Sequence, residues 1–195
     1  MRICALPHRI WSPRVKLSAT LSVGRDAVDL PRKWREPAHV FVVPHKDLFE
    51  LPAEVVSGIF VVMNGTARHE FQVTTRHPER ALEMRGLEWT PNIWLGATIT
   101  GEESASRIDA LQRVPAHVHF AHLRPEERLP ALDLQGLDFV IVEAEGEPAG
   151  LDALEARCLA SGLRLFVGPR AHDAETRVDS DSALMRRGAN LPRRP

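Results

Sequence analysis

Three histidines, His117, His119 and His122, crowd one short apolar run and its exit, and Glu143 and Glu145 follow the next. With His45 and Asp47 after an earlier run, they supply the imidazole and carboxylate groups that hold zinc or another divalent ion. Their spacing does not by itself make a site, because alternation along a strand puts His117 and His119 on one face and His122 on the other. The plainer reading is solvent-touching or hydrogen-bonded rings. Glu143 and Glu145 share a face, and if close they would form an acid/base pair with one pKa raised. Exposed glutamates after a strand are nevertheless ordinary. Thr74-Thr75-Arg76-His77 leaves a strand at Pro78 and brings hydroxyls, a guanidinium and backbone N–H groups to one point, a chemistry suited to phosphate or a nucleotide. Thr98 and Thr100 end the following run and can face the same mouth. The structural reading of Arg76 is a pair with a neighbouring acid. No Gly-x-Ser-x-Gly elbow and no Gly-rich phosphate loop is present, and Ser104 reads as a surface or capping residue.

These side chains can act together only if the elements carrying them bring their ends to one place. Apolar runs at residues 40–43, 71–75, 93–100, 118–120, 139–142 and 163–167 each have the length of one buried parallel strand. Helical patterns lie between them. Pro52 suits a first turn ahead of Val55, Val56, Ile59, Phe60 and Met63, with Asn64-Gly65 as the stop. Pro78 opens a short helix ending near Gly86, residues 102–113 put Ile108 and Leu111 on one face, and residues 150–161 do the same for Leu151, Leu154 and Leu159, with Gly162 as the stop. This alternation favours a parallel sheet with right-handed crossovers, either doubly wound or a barrel.

Composition narrows the function classes. A chain of 195 residues with 44% hydrophobic content suits one core. Lys plus Arg total 25 against 26 for Asp plus Glu, so net charge exerts no long-range pull toward nucleic acid or an anionic membrane. Four tryptophans without a tyrosine do not make a stacking platform for single strands. The two cysteines, Cys4 and Cys158, exclude a disulfide framework and fit a reducing compartment, so the expected location is the cytoplasm. Neither a signal peptide nor a membrane segment is read.

Five segments carry a resemblance. They are Trp34-Arg35-Glu36-Pro37, Asp47-Leu48-Phe49, Phe71-Gln72-Val73-Thr74-Thr75-Arg76-His77-Pro78-Glu79-Arg80, Asn92-Ile93-Trp94-Leu95-Gly96 and Leu137-Asp138-Phe139-Val140-Ile141-Val142. In that order they resemble a phage and prophage family of radical S-adenosylmethionine-type proteins. The resemblance implies an α/β fold, a partial (βα) barrel of about six parallel strands. Its relatives open with a Cys-rich loop that holds an iron-sulfur cluster, and this chain has nothing equivalent. A four-iron cluster with one open iron needs three thiolates, so no cluster is expected, although a divalent metal fits the available ligands. Other strand ends depart too: Val43-Pro44-His45-Lys46, His122-Leu123-Arg124-Pro125 and Glu143-Ala144-Glu145-Gly146 replace the relatives' residues, whereas Thr75 to Arg80 stays close to their pattern.

The resulting expectation is a single partial-barrel domain over residues 1–170, with residues 1–30 divergent and residues 171–195 a flexible polar tail. Its candidate strand-end site comprises His45, Asp47, Thr75, Arg76, His119, His122, Arg124 and Glu143, because barrels place their sites at the C-terminal ends of strands. The expected role is a cluster-free binding or partner subunit, covered by a protein partner or a second copy. The alternative is an enzyme with a rebuilt site, metal-dependent and acting on a phosphorylated or nucleic-acid substrate.

Overall fold

The computed structural model describes residues 8–11, 15–16, 22–23, 28–42 and 47–169. The chain enters through β1 (His8–Trp11) and a small antiparallel ribbon of β2 (Val15–Lys16) and β3 (Ser22–Val23), then α1 (Leu30–Lys33) and β4 (His39–Val42). Next come α2 (Ala53–Asn64), β5 (Glu70–Thr75), α3 (Pro78–Glu83), β6 (Ile93–Ile99), α4 (Arg107–Leu111), β7 (Val118–Leu123), β8 (Phe139–Ala144), α5 (Leu151–Ala160) and β9 (Arg164–Pro169). Strands β4 to β9 lie side by side in chain order, all parallel, and curl into a half-barrel with β1 added at the β4 edge.

The expected partial barrel of about six parallel strands is present as β4 to β9, and β1 adds an edge strand at residues whose Pro, His and Arg neighbours mask any strand pattern. One sequence expectation is corrected. The single helix expected over residues 102–113 is divided into a 3-10 turn at Glu102–Ser104 and the short α4. Ser104 explains the break. Its hydroxyl oxygen accepts the N–H groups of Thr100 (2.9 Å) and Gly101 (3.1 Å), and its O–H donates to the Gly101 carbonyl (2.8 Å), so the side chain competes with helical pairing. His45, Cys4 and the expected tail at 171–195 lie outside the described residues.

Alternation along each strand sends one set of side chains to each face. On the convex face, Val40, Val42, Phe71, Val73, Leu95, Ile99, Leu123, Val140 and Val142 pack against Val56, Ile59 and Met63 of α2, Ile108 and Leu111 of α4, and Leu154 and Cys158 of α5. Between β7 and β8 no helix forms; Leu129, Leu132 and Leu134 of an irregular segment take its place in the core. That segment is tied down by a bridge between Arg128 and Ala149, and by Arg157, whose guanidinium donates to the Leu132 carbonyl.

Buried connections are stitched by side chains. Ala38 N–H donates to His69 Nδ1 (3.1 Å), which leaves Nε2–H to donate to the Pro31 carbonyl (3.0 Å), and Arg68 donates to the carbonyls of Arg32 and Trp34 at the end of α1. Asn92, nearly buried, donates to the carbonyls of Met63 and His69 (both 3.1 Å), so α2, β5 and β6 meet at one amide. Among the described residues no helix is long and apolar enough to cross a membrane.

The concave face holds a separate aromatic cluster of Trp94, Phe120, Phe139 and Phe166 with Ile141. Phe120 and Phe139 stack at 4.7 Å, Trp94 and Phe166 meet Phe139 edge-on, and the Arg164 guanidinium sits 5.7 Å from the Phe139 ring centroid. The Phe120 ring lies across Gly96 of the neighbouring strand, in the space a Cβ would fill. Gly96→Ala is therefore expected to destabilise the fold by about 1–3 kcal/mol in urea denaturation, and Phe120→Leu in the same chain to recover part of the loss.

Candidate functional site

The concave face changes character along the strands. Its N-terminal part is the aromatic cluster, and toward the C-terminal ends its inward positions become Thr74 of β5 with Arg76 just after it, Thr98 of β6 with Thr100 just after it, His122 of β7 with Arg124 just after it, and Glu143 of β8. Register aligns them: Thr98 is opposite His122, and one step on, Thr100 comes level with Arg124, whose N–H donates to the Ile99 carbonyl at 2.8 Å. A cleft of about 730 Å³ opens over these ends. Thr74, Arg76, Thr98 and Arg124 line its floor, and Glu103, Glu126, Glu127 and Arg128 belong to the loops around it.

Beneath the cleft lies a buried imidazole–carboxylate contact. His122 and Glu143 are each 1% exposed, with Nε2 and Oε2 3.2 Å apart, and Arg124 Nε approaches the same carboxylate oxygen at 3.5 Å. The carboxylate thus stands between an imidazole deep in the sheet and a guanidinium at the cleft surface. Removing one member of such a pair leaves the others desolvated without compensation. Glu143→Ala should cost about 3–5 kcal/mol of stability in chemical denaturation.

Asp47 forms part of the wall, and its carboxylate is fully engaged. Oδ1 accepts from the Thr75 hydroxyl (2.7 Å) and Phe49 N–H (3.1 Å), and Oδ2 accepts from Arg76 N–H (2.7 Å). Thr75 itself belongs to the convex parity of β5, is buried, and its oxygen accepts His77 N–H at 2.9 Å. Asp47 and Thr75 therefore build the mouth and do not present functional groups to it. The side chain of Arg76 is 58% exposed and stands 3.8 Å from Glu50, while His77 bridges Glu50 (2.9 Å) and Glu79 (3.2 Å).

Of the expected site residues, the structure gathers Asp47, Thr75, Arg76, Arg124, His122 and Glu143 at one end of the half-barrel, with the Thr75 side chain turned to the convex face, and sends His119 elsewhere. His119 lies on the opposite face, where its Nε2 is 3.0 Å from the Val114 carbonyl and its N–H donates to Asp138 (2.8 Å). His117 is exposed, and Glu145 is exposed while Glu143 is buried, so neither the histidine trio nor the glutamate pair converges. Among the described residues no three His, Cys, Asp or Glu side chains gather as a metal-ligand group. Thr74, not Thr75, is the threonine that faces the cleft. Its signal is the repeated two-residue step Thr74-x-Arg76, Thr98-x-Thr100 and His122-x-Arg124 on three adjacent strands, which marks one shared face.

Burial lowers the pKa of His119 from its ordinary 6.5, against the opposing pull of the Val114 carbonyl and the Asp138 charge. Below pH 6.5 and above the folded value, the unfolded chain then binds more protons than the folded one, so stability is full above that window and falls as pH drops through it. His119→Gln should flatten this part of the melting temperature profile against pH.

Neither a curated protein nor a solved structure matches the chain. Residues 6–155, which run from before β1 into α5 and include every cleft-lining residue, match the family described as protein of unknown function (DUF5131). With three quarters of its length so matched, the chain belongs to the DUF5131 family.

Proposed function

We propose that the chain is a cluster-free, radical-S-adenosylmethionine-like half-barrel that serves as a binding or partner subunit and not as a turnover enzyme. The carrying observation is how the acids and bases near the mouth are used. Asp47 accepts three hydrogen bonds from its own neighbours, and His122 with Glu143 are packed against each other below the surface. A general base must come within hydrogen-bond reach of the proton it removes, and these groups are turned to partners within the fold.

The donor set supports the same reading. A radical cluster needs three thiolates, and the chain has two cysteines. One of them, Cys158, is buried in α5 against the convex core, where burial pushes its thiol up to about 11. Such a thiol is a packing residue and a poor soft ligand. The half-barrel also leaves β1 and β9 with one strand neighbour each among the described residues, edges that a protein partner or a second copy would cover. A reducing, cytoplasmic setting accords with the sparse cysteine content.

One observation favours the second reading, an enzyme with a rebuilt strand-end site: the His122–Glu143 pair sits beside Thr98 and Arg124, both of which line the cleft. An imidazole held by a carboxylate is a base awaiting access. Elemental analysis of protein purified anaerobically without a His-tag separates the readings. We expect neither iron with acid-labile sulfide nor a stoichiometric divalent metal. Iron and sulfide in cluster proportion would overturn the cluster-free reading, and one equivalent of zinc or manganese would favour the enzyme.

A further inference from the structure

The cleft floor is a set of donors placed by strand order. Arg76 follows β5 and Arg124 follows β7, with β6 between them carrying Thr98 and leading into Thr100. At about 4.8 Å per strand spacing and about 3.3 Å per residue along the strands, the two arginines leave the backbone roughly 12 Å apart, a gap that two guanidinium side chains close from either side of a small anion. Register adds height. Continuing the pairing of Thr75 with Ala97 places Arg76 level with Thr98, and continuing that of Ile99 with Leu123 places Arg124 level with Thr100, two residues further along. Donors therefore approach from two sides and two levels, with hydroxyls beneath. A planar carboxylate is met by one guanidinium fork, whereas a tetrahedral phosphate accepts donors from several directions at once.

The two guanidiniums are prepared differently. Arg124 places its Nε 3.5 Å from the buried Glu143 carboxylate, an ion pair that draws the side chain to the floor. Arg76 has its backbone N–H fixed by Asp47 while its side chain stands largely in solvent. One is an anchor and the other an arm. Four acids share the lining: Asp47 is engaged by three donors, and Glu103, Glu126 and Glu127 are exposed on the loops around the mouth, away from the floor between Arg76 and Arg124, where salt and water screen them.

We propose that the cleft is a binding site for a small phosphate monoester, with the phosphate seated between Arg76 and Arg124 over Thr98. This rests on the reading of the mouth as a binding site and names the class of its ligand. The test uses phenyl phosphate titrated into the intact protein and followed by phosphorus NMR. The wild-type chain should give a saturable shift, and Arg76→Ala should weaken it about tenfold, the loss of one charge-assisted contact. Thr98→Val should weaken it less, and Arg80→Ala, which removes an exposed guanidinium of α3 outside the cleft, should leave it unchanged. Among the described residues the Arg76 side chain makes one 3.8 Å ion pair, with Glu50, so its variant should keep the wild-type melting temperature. Absence of a saturable shift, or equal weakening by Arg76→Ala and Arg80→Ala, would overturn the site. Release of inorganic phosphate during the titration would uphold the site and overturn the non-catalytic reading instead.

Discussion

A strand in an unclosed parallel barrel must bury two unlike faces, and the rest of this molecule follows from how that is met. The convex face is covered by helices and takes ordinary aliphatic packing. Among the described residues the concave face has no opposing wall, so it is filled by rings: Phe120, Phe139, Trp94 and Phe166 occupy the space that further strands of a full barrel would close around. Gly96 makes this possible, because only a residue without a side chain lets the Phe120 ring lie flat over the adjacent strand. Above the rings the filling stops, and there the inward positions turn polar.

That division places the chemistry. With the lower half of the concave face plugged, solvent and ligand meet the sheet only at the strand ends, where Thr74, Thr98 and Arg124 emerge. The buried Glu143 belongs to both regions: it closes the core at His122 and steadies Arg124 at the surface. A buried pair of this kind contributes little net stability against an apolar replacement of the same shape. Its value here is positional, since it ties a side chain in the cleft to the rigid part of the fold.

How much of this could be read in the amino-acid sequence depended on the contrast between faces. Phe71-Gln72-Val73-Thr74 alternates visibly, so the apolar set could be assigned to the core and Thr74 to the other side, but Thr75 adds a second threonine that imitates the pattern. In Val118-His119-Phe120-Ala121-His122 the apolar contrast between the faces is lost, so alternation separates His119 from His122 without saying which of them faces the cleft. The six central strands and the helices after Pro52 and Pro78 were legible from length and stop signals. β1 was not, because an edge strand of four residues beside prolines carries too little apolar pattern. The half-barrel form came from a family resemblance, since periodicity treats a curled and a flat parallel sheet alike.

The carboxylate of Asp47 acts as a gauge for the strand beside it. Its oxygens fit the Thr75 hydroxyl on the convex side and the Arg76 amide at the rim, two groups that coincide only when β5 is in its proper phase. A slip of one residue would exchange the two faces of the strand, turning Phe71 and Val73 inward and Thr74 and Arg76 away from the cleft. The threonine that imitates its neighbour in the sequence is thus the one that tells them apart in the folded chain. Selection on Asp47 and Thr75 would in that case protect an orientation, not a reaction.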